Sequence, residues 1–293
     1  MSTGDFPRRE HPSTYFVQDR SSQEELNRLR LQDKMVTAGM GGVLPEQSDV
    51  SSFRRVLDVG CGIGGWLIEI AKTYPGISQL VGVDVSGKML DYARMQAAEQ
   101  QVGDRVEFRQ MDALRMLEFP SEYFDLVNHR LGLSWLRTFD WPKLLQEYVR
   151  VARPGAVIRI TESDTLIEGI TPARKRLFEL TLEAFYNAGH FFVREKDGVT
   201  GQLARLLQQY GLQNVQTQTH ALEFRGGTEE GERFYEDVKL AYRGVVPFFR
   251  KWSKLPDDYE EIYQEVLSEM RQPGFVSRWV MVTAWGNKKE KDG

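Results

Sequence analysis

The stretch VLDVGCGIGGW, residues 56–66, restricts the fold of this chain more than any other. Val56, Leu57 and Val59 read as the apolar end of a buried strand. Gly60, Gly62, Gly64 and Gly65 follow within six positions, and the run from Trp66 to Ala71 reads as a helix. Glycine has no Cβ and tolerates positive φ, so a ligand can approach such a backbone closely. The helix that follows would aim its N–H groups at that ligand. Gly60, Gly62 and Gly65 also match G-x-G-x-x-G. A tight strand-to-helix turn with no ligand explains the same glycines, so the choice depends on the rest of the chain.

Strands and helices alternate after this turn. Strands are expected at 56–59, 80–85, 106–111, 124–128 and 156–162, and helices at 65–73, 87–100 and 142–152, the last with Pro142 in its first turn and Arg153-Pro154-Gly155 behind it. That order implies a parallel, doubly wound sheet. Before it, Ser22-Gln23-Glu24-Glu25 is a candidate capping box opening a helix to about 37. Beyond it, helices are expected at 171–189 and 200–210, and strands at 215–224 and 276–285. The stretch between those two strands is too long for a bare loop and reads as helices near 229–249 and 257–270. The chain divides into an N-terminal lid segment, 1–50, and one sheet domain, 51–293, with helical insertions at about 165–211 and 225–274.

Composition excludes several classes. The net charge of −4 gives no global attraction to nucleic acid or anionic membrane. Cys61 is the lone cysteine, so no intramolecular disulfide framework exists, and the four histidines show no metal-ligand spacing. With no leader and no bilayer-length apolar run, a cytoplasmic protein is expected.

In open α/β sheets, ligands sit at the carboxyl ends of the strands. Three acids fall there. Asp58 lies in the first strand, Asp84 follows the second, 24 positions after Gly60, and Asp112 follows the third. Asp84 suits ribose hydroxyls and Asp112 an exocyclic adenine amine. Asp58 discriminates between ligands: a carboxylate so close to the glycine loop repels a pyrophosphate and attracts a cation. S-adenosylmethionine, with an ammonium and a sulfonium and no phosphate, fits that field better than a nicotinamide dinucleotide.

With these features the sequence resembles the class I S-adenosylmethionine-dependent methyltransferases. VLDVGCGIGG, VGVDVSGKMLDYAR, FRQMDAL, FDLVNHR and LLQEYVRVARPGAVIRITE occur in the family's order over about residues 54–162. The resemblance implies a Rossmann-like seven-stranded sheet with its last strand antiparallel, filled by 276–285. It implies that Asp58, Gly60 and Gly62 line the methionine part and that Asp84 takes the ribose. Val85 and Met89 would flank the adenine, Asp112 and Ala113 would meet its amine and ring edge, and Asn128 would lie near the sulfonium. Tyr15 would close over the cofactor from the N-terminal segment. Cys61 is expected to be a small loop residue, not a nucleophile.

The acceptor is less defined. His129 is the candidate general base, with Glu162 and Asp164 as further candidates. Arg130 would bind an anionic acceptor or a nearby acid, and His190 would face the acceptor pocket. Aromatic residues are dense in the insertions and can form either helix core or an apolar lid. The leading expectation is a methyltransferase for a small, partly apolar molecule. The alternatives are an RNA or protein methyltransferase, hinted at by the basic stretches 173–176 and 250–254, and a regulatory protein that binds the cofactor without catalysis.

Overall fold

The computed structural model describes residues 22–164 and 171–291. Five parallel strands, β1 (Arg55–Val59), β2 (Gln79–Asp84), β3 (Val106–Gln110), β4 (Phe124–Arg130) and β5 (Ala152–Ser163), join β6 (Leu212–Arg225) and β7 (Val276–Lys288) in one seven-stranded sheet. Its order is β3-β2-β1-β4-β5-β7-β6, and β7 runs antiparallel to both neighbours. The expected architecture is therefore present, with its antiparallel last strand.

Period-two alternation explains why the central strands are apolar throughout. Val56, Leu80 and Leu126 face one side and pack with Trp66, Leu67 and Ile70 of α2 (Gly65–Thr73) and with Leu90 and Ala93 of α3 (Gly87–Glu99). Leu57, Val81 and Val127 face the other side and pack with Leu144, Leu145 and Tyr148 of α4 (Trp141–Val151). Both faces are covered, as a parallel sheet requires. Strand order reverses between β1 and β4, so a crevice opens at their carboxyl ends.

Helices from three segments roof that crevice. The first is α1 (Gln23–Gly39), capped by Ser22, whose Oγ accepts the Glu25 N–H at 3.1 Å. The second is α5 (Pro172–Asn187), capped by Thr171, with Leu177, Leu180, Ala184 and Phe185 buried as the sequence pattern implies. After it, α6 (Leu203–Gln209) leads into β6. The third segment is α7 (Glu229–Gly244), α8 (Val246–Trp252) and α9 (Tyr259–Met270), inserted between β6 and β7. The single helix expected over 229–249 is two helices. The break falls at Val245, just before Pro247, whose ring removes a helical N–H donor. The strand expected over 156–162 begins at Ala152, so Arg153-Pro154-Gly155 lies within β5, with a register shift against β4 between Phe124 and Leu126.

The roof is fastened by buried charge. Arg28 of α1, 1% exposed, donates to Glu25 (2.7 Å) and to Asp237 of α7 (2.9 Å). Gln32 reaches Asp237 as well, at 3.3 Å. Asp33 pairs with Arg130 at the end of β4, and Arg130 also donates to Thr37 at 3.1 Å. No helix among the described residues is long and apolar enough to cross a membrane.

Candidate active site

Roof and crevice enclose a cavity of about 1120 Å³. That exceeds the roughly 300–1,000 Å³ of sites for one small ligand, so two ligands can share it. One half is bordered by Asp58, Gly60, Gly62, Asp84, Val85, Met89, Asp112 and Ala113, all expected from sequence to contact a cofactor. The other half is bordered by the inserted aromatics Phe185, Phe191, Tyr242, Phe249 and Trp252, with Trp279 of β7.

The glycine loop is held by backbone and carboxylate. Gly60 and Cys61 donate to the Val83 carbonyl at 2.8 and 3.0 Å. The Asp84 carboxylate accepts from Gly62 N–H (3.0 Å) and Ser86 N–H (2.8 Å), which orients it at the strand end. Gly62 has φ +53°, and a Cβ there would meet nothing within 4 Å, so the loop leaves open space beside the cavity. Gly65 has a different reason: the Asp33 carboxylate lies where its Cβ would be, with Oδ2 only 2.1 Å away. The last glycine of the motif thus accommodates α1. Cys61 is half-buried; burial, with Asp84 and Asp58 nearby, pushes its thiol well above its ordinary pKa, so it is no nucleophile.

Asp58 is 4% exposed, and burial pushes its pKa up to about 6. The Asn128 hydrogen bond and the Arg130 charge act in the opposite direction. A buried acid in this state gains from a cation set against it. With the open glycine loop and the acid at the end of β2, it fits a ligand carrying a ribose and an ammonium.

Asn128 does not border the cavity. It is fully buried behind Asp58, donating to Asp58 Oδ1 at 2.7 Å and accepting from Arg159 Nη1 at 2.7 Å. Arg159 in turn donates to Glu46 at 2.7 Å. Asn128 therefore positions Asp58 from behind, and it is not among the residues lining the cavity where the sulfonium was expected. Tyr15 lies outside the described residues.

His129 also stands away from the cavity lining, which corrects its reading as a base in contact with an acceptor. Its ring is fully buried and stacks against Trp135 (5.6 Å between centroids) and Trp141 (5.8 Å). Nδ1 lies 2.9 Å from the Tyr148 hydroxyl, and Nε2 faces Glu162 Oε1 at 3.3 Å. Burial pushes the Tyr148 phenol well above its ordinary pKa, so it keeps its proton in this bond. Glu162 is equally committed, accepting from Gly132 N–H at 2.7 Å and Leu133 N–H at 3.1 Å. These bonds hold Leu131 in the left-handed region, φ +55°, at the cavity edge. Asp164 does border the cavity and takes the Thr200 hydroxyl. Arg130 is paired with Asp33, and His190 is buried off the cavity, its Nδ1 2.9 Å from the Leu136 carbonyl. Sequence reasoning missed Arg28, Asp33, Trp135 and Trp279, because single residues on a helix, a loop or a late strand carry no motif.

The basic stretch 173–176 is not an open cationic patch. Arg174 is 5% exposed, with its guanidinium 5.0 Å from the Phe275 ring, and Arg176 pairs with Asp258 at 2.6 Å.

The doubly wound sheet, the glycine loop and the three strand-end acids define a methyltransferase that uses S-adenosylmethionine. The chain belongs to the class I S-adenosylmethionine-dependent methyltransferases. A family model described as a methyltransferase domain matches residues 56–155. The demethylmenaquinone methyltransferase of Lactiplantibacillus plantarum is 32% identical over 185 residues, 59% of this chain and 76% of that protein. Ajmaline N-methyltransferase of Rauvolfia serpentina is 40% identical over 107 residues, 36% of this chain and 35% of that protein. Among solved structures, phosphoethanolamine N-methyltransferase 2 of Haemonchus contortus in complex with S-adenosyl-L-methionine shares the fold. Its TM-score is 0.57 at 17% identity, over 97% of this chain and 62% of that one.

Proposed function

We propose that this chain methylates a small, largely apolar molecule held under the helical roof. The aromatic half of the cavity, beside the acid-lined half, carries this reading. The Lactiplantibacillus and Rauvolfia relatives are both named for small-molecule acceptors, which supports it. The roles we assign are Asp58 to the ammonium, Gly60 and Gly62 to close approach of the methionine part, and Asp84 to the ribose hydroxyls. Val85, Met89, Asp112 and Ala113 surround the adenine, and Tyr15 remains a proposed contact from the N-terminal segment.

When bound, S-adenosylmethionine supplies an activated methyl on a sulfonium. The chain must align the acceptor and exclude water. Trp135 closes the floor beside the glycine loop, 3.1 Å from where a Gly60 Cβ would stand. His129 and Glu162 position the 131–135 loop. For an acceptor that must lose a proton, Asp164 is the candidate base, since it borders the cavity.

The test pairs calorimetry with transfer of labelled methyl to panels of small molecules, RNA and protein. Binding of S-adenosylhomocysteine but not of a nicotinamide dinucleotide is expected, with label on small acceptors. Transfer to RNA or protein alone overturns the acceptor reading. Cofactor binding with no transfer to any panel favours the regulatory alternative.

A further inference from the structure

Six cationic side chains border the cavity: Arg28, Arg115, Arg130, Arg137, Lys143 and Lys251. Three have carboxylate partners. Arg28 pairs with Glu25 and Asp237, Arg115 with Asp112, and Arg130 with Asp33. Arg137 differs. Among the described residues its guanidinium makes no hydrogen bond or ion pair, and its Nε is buried with no partner. The nearest acid, Asp140, accepts the Arg137 backbone N–H at 3.1 Å, not the guanidinium. The group is held between aromatic rings instead, with Cζ 5.7 Å from the Phe139 centroid and 5.7 Å from that of Trp252.

A buried N–H without a partner is destabilising, and a guanidinium already set between aromatic planes needs little further ordering to receive an anion. Its planar fork matches a carboxylate or phosphate bidentately. Lys251 Nζ lies 5.0 Å from the same Trp252 ring, so positive charge accumulates on this wall. Asp58, Asp84 and Asp112 sit in the other half of the cavity. Asp140 and Asp164 also border the cavity, so the positive charge is local to the wall formed by Arg137 and Lys251. An anionic group is drawn to that wall and repelled from the three strand-end acids.

We propose that the acceptor carries an anionic substituent, a carboxylate or a phosphate, that docks on Arg137 while its apolar body lies against the inserted aromatics. This rests on the methyltransferase reading and narrows its substrate class.

The probes are 1-naphthol and 1-hydroxy-2-naphthoate, which share an aromatic body and differ by a carboxylate. Each is titrated calorimetrically into the full chain saturated with S-adenosylhomocysteine. The carboxylate probe is expected to bind about tenfold tighter or more. Arg137→Met should bring the two to parity, and Arg137→Lys should keep part of the preference. Unchanged S-adenosylhomocysteine affinity in Arg137→Met shows that the fold and donor half survive. Equal affinities in the parent, a preference surviving Arg137→Met, or no binding of either probe overturns the proposal. Failure of the parent to bind S-adenosylhomocysteine is the distinct failure of the methyltransferase reading, and the proposal falls with it.

Discussion

If Asp58 receives the ammonium of the cofactor, affinity must depend on pH in a way that the adenosine half cannot cause. In the ligand-free protein burial holds Asp58 near 6, against an ordinary 3.8. A cation beside it favours the ionised form, so below pH 6 binding requires release of a proton. Apparent affinity then falls about tenfold between pH 7 and pH 5, or about 1.4 kcal/mol. Calorimetry with S-adenosylhomocysteine across that range measures it. 5′-Methylthioadenosine, which keeps the adenosine and lacks the amino acid, should bind with a flat profile and controls for Asp84 and Asp112. Asp58→Asn should weaken S-adenosylhomocysteine at pH 7 by about 1.5–3 kcal/mol, the scale of a charge-assisted hydrogen bond, and should flatten its profile. The same group affects stability with a defined sign. Between about 4 and 6 the folded state holds a proton that the unfolded chain has released, so stability falls as pH rises through this window. The loss is about 3 kcal/mol, and Asp58→Asn should remove it. A flat parent profile, an equal slope for methylthioadenosine, or a slope that persists in Asp58→Asn would refute the assignment.

Other substitutions test the supporting structure. His129→Ala should cost about 2–5 kcal/mol in denaturant unfolding, since it leaves a void beside Trp135 and Trp141. It should leave the pH profile of methyl transfer unmoved; a lost acidic limb would restore His129 as a base. Gly132→Ala places a Cβ 1.9 Å from His129 Nε2 and should lower stability by about 1–3 kcal/mol while disordering the 131–135 loop, read as lost turnover. Arg28→Met removes the buried guanidinium that joins Glu25 to Asp237 and should cost about 3–5 kcal/mol, with faster hydrogen exchange in α1. An unchanged melting temperature would show that the fastening of the roof is not set by this pair.

The sheet was legible because its signals are local and periodic. Val56, Leu57 and Val59, then the glycines, then an apolar helix can hardly be read otherwise, and the strand-end acids follow from topology. The boundaries of long strands were less legible. Arg153-Pro154-Gly155 carries turn chemistry and nevertheless falls inside β5, at the irregularity where the register against β4 shifts from Ala152 to Val157. The acceptor half was legible only as an excess of aromatics. Whether Phe185 or Phe249 is core or lining depends on how α5 and α8 lean over β5 and β7, and no spacing rule encodes that. His129 and Asn128 show the same limit. Both end a strand near the ligand crevice, but successive residues point to opposite faces, and neither reaches the cavity.

That alternation also explains how the site is supported. Asp58, Asn128 and Arg159 are register partners across β1, β4 and β5, so they share one face and form a continuous polar row closed by Glu46. His129 faces the other side with Tyr148, where Glu162 joins it. One row holds Asp58, to which we assign the ammonium of the cofactor, and the other holds the 131–135 loop at the cavity edge. Among the described residues, no hydrogen bond between side chains joins the two rows, which meet at the backbone of β4. A substitution in one row should therefore reach the other half of the cavity mainly through strand position. Double-mutant coupling between Asn128 and His129 should accordingly be small for a neighbouring pair, below about 0.5 kcal/mol, because their side chains share no partner. A coupling well above that would mean that the two faces act as one network and that donor and acceptor halves are not independently tuned.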